Sequence, residues 1–150
     1  MGHDADGMTI ITQVGIVVRD VEAAARKWAA VFGREVPAAR LTDGYDKTRA
    51  EYAGQPTEAR ARLAFLDFGQ VQIELIEPVD GPSTWRDHLE QHGGGLHHIA
   101  FKIKGMTESI AYLEGHGISL IQRGEYTGGR YAYLDGAGEL GTILELLEND

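Results

Sequence analysis

Apolar residues recur along this chain with two alternating periods. Between residues 10 and 18 they fall at every second position, with Ile10, Val14, Ile16 and Val18 on one side and Gln13, Gly15 and Val17 on the other, which predicts a strand. Asp20 then offers a helix N-cap. Val21, Ala24, Ala25, Trp28 and Phe32 follow at helical spacing until Gly33, so a helix is expected here with Trp28 and Phe32 turned into the core. Residues 60–68 and 70–78 read as a hairpin turning at Phe68-Gly69-Gln70. On its second strand Gln72, Glu74 and Ile76 share one face, while Val71, Ile73 and Leu75 share the other. Ser83 caps a helix carrying Trp85, Leu89 and His92, stopped by Gly93-Gly94-Gly95. Strand 96–104, helix 107–115 and strands 118–121, 130–135 and 142–148 complete the pattern. Residues 37–55 lack a clear period: Leu41, Tyr45 and Tyr52 stand among charges, with a strand expected over 47–53. That stretch either closes over a site or is a solvent loop with one edge strand.

The pattern repeats. The segment Leu96-His97-His98-Ile99-Ala100 is a near-copy of Ile11-Thr12-Gln13-Val14-Gly15, with His98 lying 85 residues beyond Gln13, and a helical stretch follows each copy at the same offset. Phe65-Leu66-Asp67 and Ile73-Glu74-Leu75-Ile76-Glu77 return as Tyr133-Leu134-Asp135 and Leu144-Glu145-Leu146-Leu147-Glu148, the glutamates 71 residues apart. Such self-similarity fixes architecture. It predicts an α+β fold of two tandem βαβββ modules forming a curved, partly open mixed sheet. A flexible lead-in over 1–8 precedes one domain, 9–150, made of module one (9–80), a linker helix (82–93) and module two (94–148).

Self-comparison also selects four residues, Gln13, Glu74, His98 and Glu145, at equivalent places in apolar strands. All four can ligate a divalent cation, and a carboxylate among Ile and Leu is costly unless paired or metal-bound. Three oxygens and one imidazole suit Zn²⁺, Co²⁺, Mn²⁺, Ni²⁺ or Fe²⁺ without deciding among them. Strand alternation sends His97 to the face opposite His98, as a structural histidine near the strand start or at best a group in the shell around the ligands. His88 and His92, four apart on the linker helix, have no third ligand in view and read as surface residues; His116, between glycines, reads as a turn residue.

Composition narrows the partners. The 150-residue chain carries a formal net charge of −9 and no basic run, which argues against a nucleic-acid surface, and it has no apolar stretch long enough to cross a membrane. Without cysteine it has no disulfide framework, in keeping with a cytoplasmic home. A small-molecule ligand remains.

The segments Ile73-Glu74-Leu75-Ile76-Glu77-Pro78, Gly95-Leu96-His97-His98-Ile99-Ala100 and Ile143-Leu144-Glu145-Leu146 resemble the vicinal oxygen chelate superfamily, that is, the glyoxalase and bleomycin-resistance fold. The likeness runs over nearly the whole chain and is nearest to methylmalonyl-CoA epimerases and their lactoylglutathione-lyase-like relatives. It implies a metal at Gln13, Glu74, His98 and Glu145, an acyl-CoA or other carbonyl substrate, proton transfer next to that carbonyl, and a homodimer. In that chemistry Glu145 is the first candidate base and Glu74 the second. Arg62, Arg130 and Tyr45, with Arg60, are weaker candidates for holding substrate. The epimerase pattern usually has His where this chain has Gln13, and Gln, Glu, His, Glu is the set of eukaryotic-type glyoxalase I. Where bacterial epimerases tend to carry a glutamate base, the strand before the second ligand offers Arg62 or Leu63. A ring-cleaving oxygenase would use two histidines and a carboxylate, against which Gln13 counts. A metal-free binding protein of the same fold would leave the four polar residues unexplained.

Overall fold

The computed structural model describes residues 8–150. The expected lead-in lies outside the described residues except for Met8, which packs against the apolar cluster of module two. Among the described residues ten strands form a single sheet in the order β2-β5-β6-β1-β7-β10-β9-β8-β3-β4. They are β1 (Gln13–Val17), β2 (Arg40–Leu41), β3 (Glu51–Tyr52), β4 (Gln55–Pro56), β5 (Arg60–Asp67), β6 (Gln72–Asp80), β7 (Gly95–Lys102), β8 (Ser119–Tyr126), β9 (Gly129–Asp135) and β10 (Ile143–Asn149). Helices α1 (Val21–Phe32), α2 (Tyr45–Thr48), α3 (Thr84–His92), α4 (Met106–Gly115) and α5 (Ala137–Leu140) complete the chain.

The strand order is the repeat made visible. Module one contributes β2-β5-β6-β1 and module two β7-β10-β9-β8, so the two first strands meet antiparallel at the centre. Each first strand pairs in parallel with the last strand of its own module, β1 with β6 and β7 with β10. Helix α1 covers one outer face through Val21, Ala25, Ala64, Leu66 and Leu75, and α4 covers the other through Ile110, Leu113, Leu134 and Leu146. The inner face collects Val17, Ala59, Ala61, Ile76 and Tyr133 around Trp85 and Leu89 of the linker helix α3.

Local chemistry places the helices as the sequence predicts. The Asp20 side chain accepts from the Ala23 N–H at 3.0 Å, and Gly33 ends α1 in the left-handed region at φ 64°. Ser83 caps α3 by accepting from the Arg86 N–H at 3.0 Å. Phe32 differs from expectation: it is half exposed, stacking on Trp28 and meeting Phe68 edge-on at the rim, not in the core.

Residues 45–56 depart most from the sequence reading. Where one strand was expected over 47–53, the chain makes the single turn α2 and the two-residue strands β3 and β4. It crosses to the far module: β3 pairs with β8, Ala53 N–H donates to Ile121 O at 2.9 Å, and Tyr52 O–H donates to Asp87 on α3. The excursion therefore straps module one to the outer edge of module two.

Candidate metal centre

Register brings the four repeat-selected residues together. Gln13 on β1 faces Ala100 on β7, Gly15 faces both Glu74 on β6 and His98 on β7, and Glu145 on β10 faces Ala100. Alternation then turns Gln13, Glu74 and Glu145 to the inner face, and all four residues are buried. His98 Nε2 lies 3.0 Å from Glu145 Oε1, 3.5 Å from Glu74 Oε1 and 3.0 Å from Gln13 Oε1. Gln13 is oriented by its own Nε2, which donates to Gln72 Oε1 at 2.8 Å. Glu74, His98 and Glu145 form a buried group whose ligand atoms all fall within 4.8 Å of one another.

Gly15 makes this convergence possible. The His98 imidazole lies across β1 directly over it, and a Cβ at this position would fall inside the ring.

A divalent cation fits the donor set. With the Gln13 oxygen inward, three oxygens and one ring nitrogen point at one another, and a cation between them replaces repulsion by ligation. With the Gln13 amide rotated, its N–H would instead donate to Glu145 Oε1 at 3.0 Å and to Glu74 Oε1 at 3.3 Å. Charge tells the same story. Burial, and then the nearby Glu145 carboxylate, push the Glu74 carboxyl up to about 8, only partly offset by His98. Burial alone would lower His98, but the Glu145 charge and hydrogen bond, with Glu74, outweigh it and leave the imidazole raised.

One expectation fails here. His97 does not point away from His98. Between Gly15 and Ile16 the register slips, pairing Gly15 with His98 and Ile16 with Leu96, so His97 is the extra residue of a β-bulge. Both rings are consequently on the inner side, Nδ1 to Nδ1 at 2.8 Å, and His97 Nε2 reaches Thr84 Oγ1 at 3.0 Å. Burial, then His98 and His88, hold His97 well below the usual histidine range, so it is neutral. Tyr133 packs its ring 5.1 Å from both histidines, and its hydroxyl accepts from Trp85 Nε1–H at 3.0 Å. Sequence reasoning named His97 but put it on the wrong face, and it missed Gly15, Thr84 and Tyr133. Of these three only Gly15 left a trace there, as the glycine aligned with Ala100 in the repeat.

The weaker candidates are placed elsewhere. Arg62 alternates with Ala64 and Leu66, so it lies on the α1 face, where it pairs with Glu22. Arg130 shares the α4 face with Ala132 and Leu134 and pairs with Glu148 at 3.0 Å and with Asp150. Tyr45 lies on α2 beside Arg49, in an open depression with Arg60 and Asp80. None of them reaches the centre. His88 and His92 stack at 4.8 Å on α3, and no third ligand joins them among the described residues. His116 caps the C-terminus of α4.

Behind His97 lies a cavity of about 660 Å³, bounded by Tyr52, Thr84, Asp87, His88 and Ile143. No lysine or arginine lines it, and Gln13, Glu74, His98 and Glu145 lie outside its wall.

Known proteins resemble this chain in sequence and shape. It is 34% identical over 94 residues to the uncharacterized protein YqjC of Bacillus subtilis, which spans 61% of this chain and 67% of that protein. It is 26% identical over 116 residues to the ethylmalonyl-CoA/methylmalonyl-CoA epimerase of Cereibacter sphaeroides, over 77% of this chain and 76% of that one. The crystal structure of methylmalonyl-CoA epimerase from Mycobacterium tuberculosis superposes with a TM-score of 0.64 at 20% identity, covering 95% of this chain and 89% of the other. A variant of the Streptomyces coelicolor methylmalonyl-CoA epimerase, in complex with 2-nitronate-propionyl-CoA, gives 0.64 at 21% identity over 94% and 97%. Residues 12–133 match the sequence profile of a known family. The chain belongs to the Glyoxalase/Bleomycin resistance protein/Dioxygenase superfamily.

Proposed function

We propose that the protein is a divalent-metal-dependent isomerase that enolises a substrate next to a carbonyl, as a methylmalonyl-CoA epimerase does. The observation that carries this reading is the convergence of Gln13, Glu74, His98 and Glu145 on one buried point. A likeness in fold to epimerases, and a distant likeness in sequence to one of them, support it. When bound, the ion would act as a Lewis acid toward two vicinal oxygens of the substrate. The chain's own residues supply the rest. Gln13 and His98 fix the position of the substrate's chelating end. Glu145, on the strand beside His98, takes the α-proton as base, and Glu74, which converges on the same point, is the second candidate to carry that proton and return it. Tyr133, Trp85 and Leu89 wall the inner face and keep water from the exchanging proton. The protein works as a homodimer, which sedimentation velocity would test.

A glyoxalase-like reading is favoured by one observation, Gln13 in the first ligand position.

The test is to load purified, untagged protein with Zn²⁺, Co²⁺, Mn²⁺ or Ni²⁺ and follow exchange of the α-proton for deuterium. Methylmalonyl-CoA and the hemithioacetal of methylglyoxal and glutathione are offered side by side. Metal-dependent exchange on the first supports the epimerase reading, and turnover of the second alone moves the assignment to glyoxalase chemistry. If the protein binds no stoichiometric metal, the enzyme reading is lost in favour of a binding protein of the same fold.

A further inference from the structure

The bulge at His97 does more than bend β7. It stacks a second buried imidazole behind the proposed ligand His98, and the two Nδ1 atoms face each other at 2.8 Å. Only one hydrogen can sit between them, so one ring donates and the other accepts. The direction is set at the other end of His98. Its Nε2 points at Gln13 Oε1, Glu145 Oε1 and Glu74 Oε1, the positions from which an ion would be held. A nitrogen that gives its lone pair to a cation carries no hydrogen, which places the His98 hydrogen on Nδ1. His97 Nδ1 is then the acceptor, His97 Nε2 carries the second hydrogen, and that N–H donates to Thr84 Oγ1 at 3.0 Å. Thr84 is in turn fixed by its backbone N–H, which donates to Gln122 Oε1 at 2.8 Å at the start of α3.

We propose that His97 is a positioning residue for the metal centre: it locks His98 into the tautomer that offers Nε2 to the ion, and it ties that ring to the linker helix through Thr84. The inference rests on the metal reading above and goes beyond it. Ligating histidines ordinarily donate their outer N–H to a carboxylate, a carbonyl or water. Here the acceptor is a neutral ring, and charge explains the choice. Glu74 and Glu145 already balance a dication, so a third carboxylate behind His98 would leave the buried site net negative. A neutral acceptor orients the ligand without adding charge, and it leaves the ion a stronger Lewis acid than a carboxylate partner would.

Two measurements test this. In Zn²⁺-loaded wild-type protein, long-range ¹H–¹⁵N spectra should report His98 with its proton on Nδ1 and His97 with its proton on Nε2. The opposite assignment for His97 overturns the proposal without any variant. In the second, Co²⁺ affinity is read by calorimetry and ligand geometry by visible absorption. The His97→Phe variant keeps a ring but loses the acceptor, and should bind about 10- to 100-fold more weakly with an altered spectrum. His97→Asn, whose side-chain oxygen can stand in for Nδ1, should recover part of both, and Thr84→Val should lose less than His97→Phe. Affinity and spectrum unchanged in His97→Phe would sink the proposal while leaving the metal reading intact. A wild-type protein that takes up neither Co²⁺ nor Zn²⁺ would overturn both.

Discussion

Modules one and two build the same half-cup, yet they are not interchangeable. Each gives one residue from its first strand, Gln13 or His98, and one glutamate from its last, Glu74 or Glu145. Each also places a glutamate three residues further on, Glu77 or Glu148, to cap its own helix: Glu77 Oε1 accepts from Val21 N–H at 2.9 Å, and Glu148 Oε2 from Gly105 N–H at 2.6 Å. The differences fall where an imidazole replaces an amide. Module two needs a bulge to lodge two rings, and module one answers with Gly15 where module two has Ala100. The outer edges differ too, since β2 has two residues and β8 has eight. A duplicated scaffold can thus bring matched polar side chains to one point while packing its two halves differently.

The glutamates give the largest expected contrast. Glu145→Gln should lower α-proton exchange by about 100- to 10,000-fold, the range of a lost general base. Glu74→Gln should weaken metal binding and slow return of the proton while abstraction persists. Single-turnover deuterium exchange beside metal titration separates the two, and full exchange in Glu145→Gln would remove that residue from the base role.

Next in size is the glycine against the alanine. Gly15→Ala must displace the His98 ring, costing about 1–3 kcal/mol of stability and most of the metal affinity. Ala100→Gly adds no atom near either ligand and should cost about 1 kcal/mol with metal binding kept. Urea unfolding and Co²⁺ titration of both variants check this, and equal effects would mean that the ring does not lie over β1.

Acidity probes the coupling between the halves. In metal-free protein Glu74 holds its proton up to about 8, against an ordinary value of 4.5, so between these limits the folded state binds more protons than the unfolded chain. Stability present at pH 4.5 is therefore lost progressively as pH rises to about 8. His98, raised above 6.5, adds to the loss in the same direction. Thermal melts of chelator-treated protein should show Tm falling across this window, less steeply in Glu145→Gln, where the neighbouring charge is gone. Added Zn²⁺ should raise Tm more at the alkaline end, because it displaces the proton.

The smallest contrast is at the caps. Helix α1 keeps Asp20 if Glu77 is changed, whereas α4 starts on Gly105 at φ 86° with no capping side chain of its own. Glu148→Gln should cost about 1 kcal/mol in a denaturant melt, and Glu77→Gln about half of that.

Sequence was informative wherever the code is local or repeated. The caps at Asp20 and Ser83 and the stop at Gly33 are set by neighbours along the chain, and they stand where expected. The four inner residues emerged because the repeat compares each with a partner in the same structural role. His97 was misplaced because a bulge depends on the register of the opposing strand, which strict alternation along one strand does not contain. Arg62 and Arg130 were within reach, since alternation with Ala64 and with Ala132 already puts them on the helix side. The crossing of β3 to β8 had no local signal: two-residue strands carry no period, and their pairing is decided by a distant edge.

The two margins of the sheet have a bearing on how copies of the protein meet. The sheet ends in two-residue stubs, β2 on one side and β4 on the other, and β2 and β3 each pair with only two residues of an eight-residue strand, β5 and β8. The stubs interrupt the outer backbone edge of each long strand without covering it. A strand approaching from another copy would have to align in the short stretch that β2 or β3 leaves open, so strand addition at either margin is limited to a few residues.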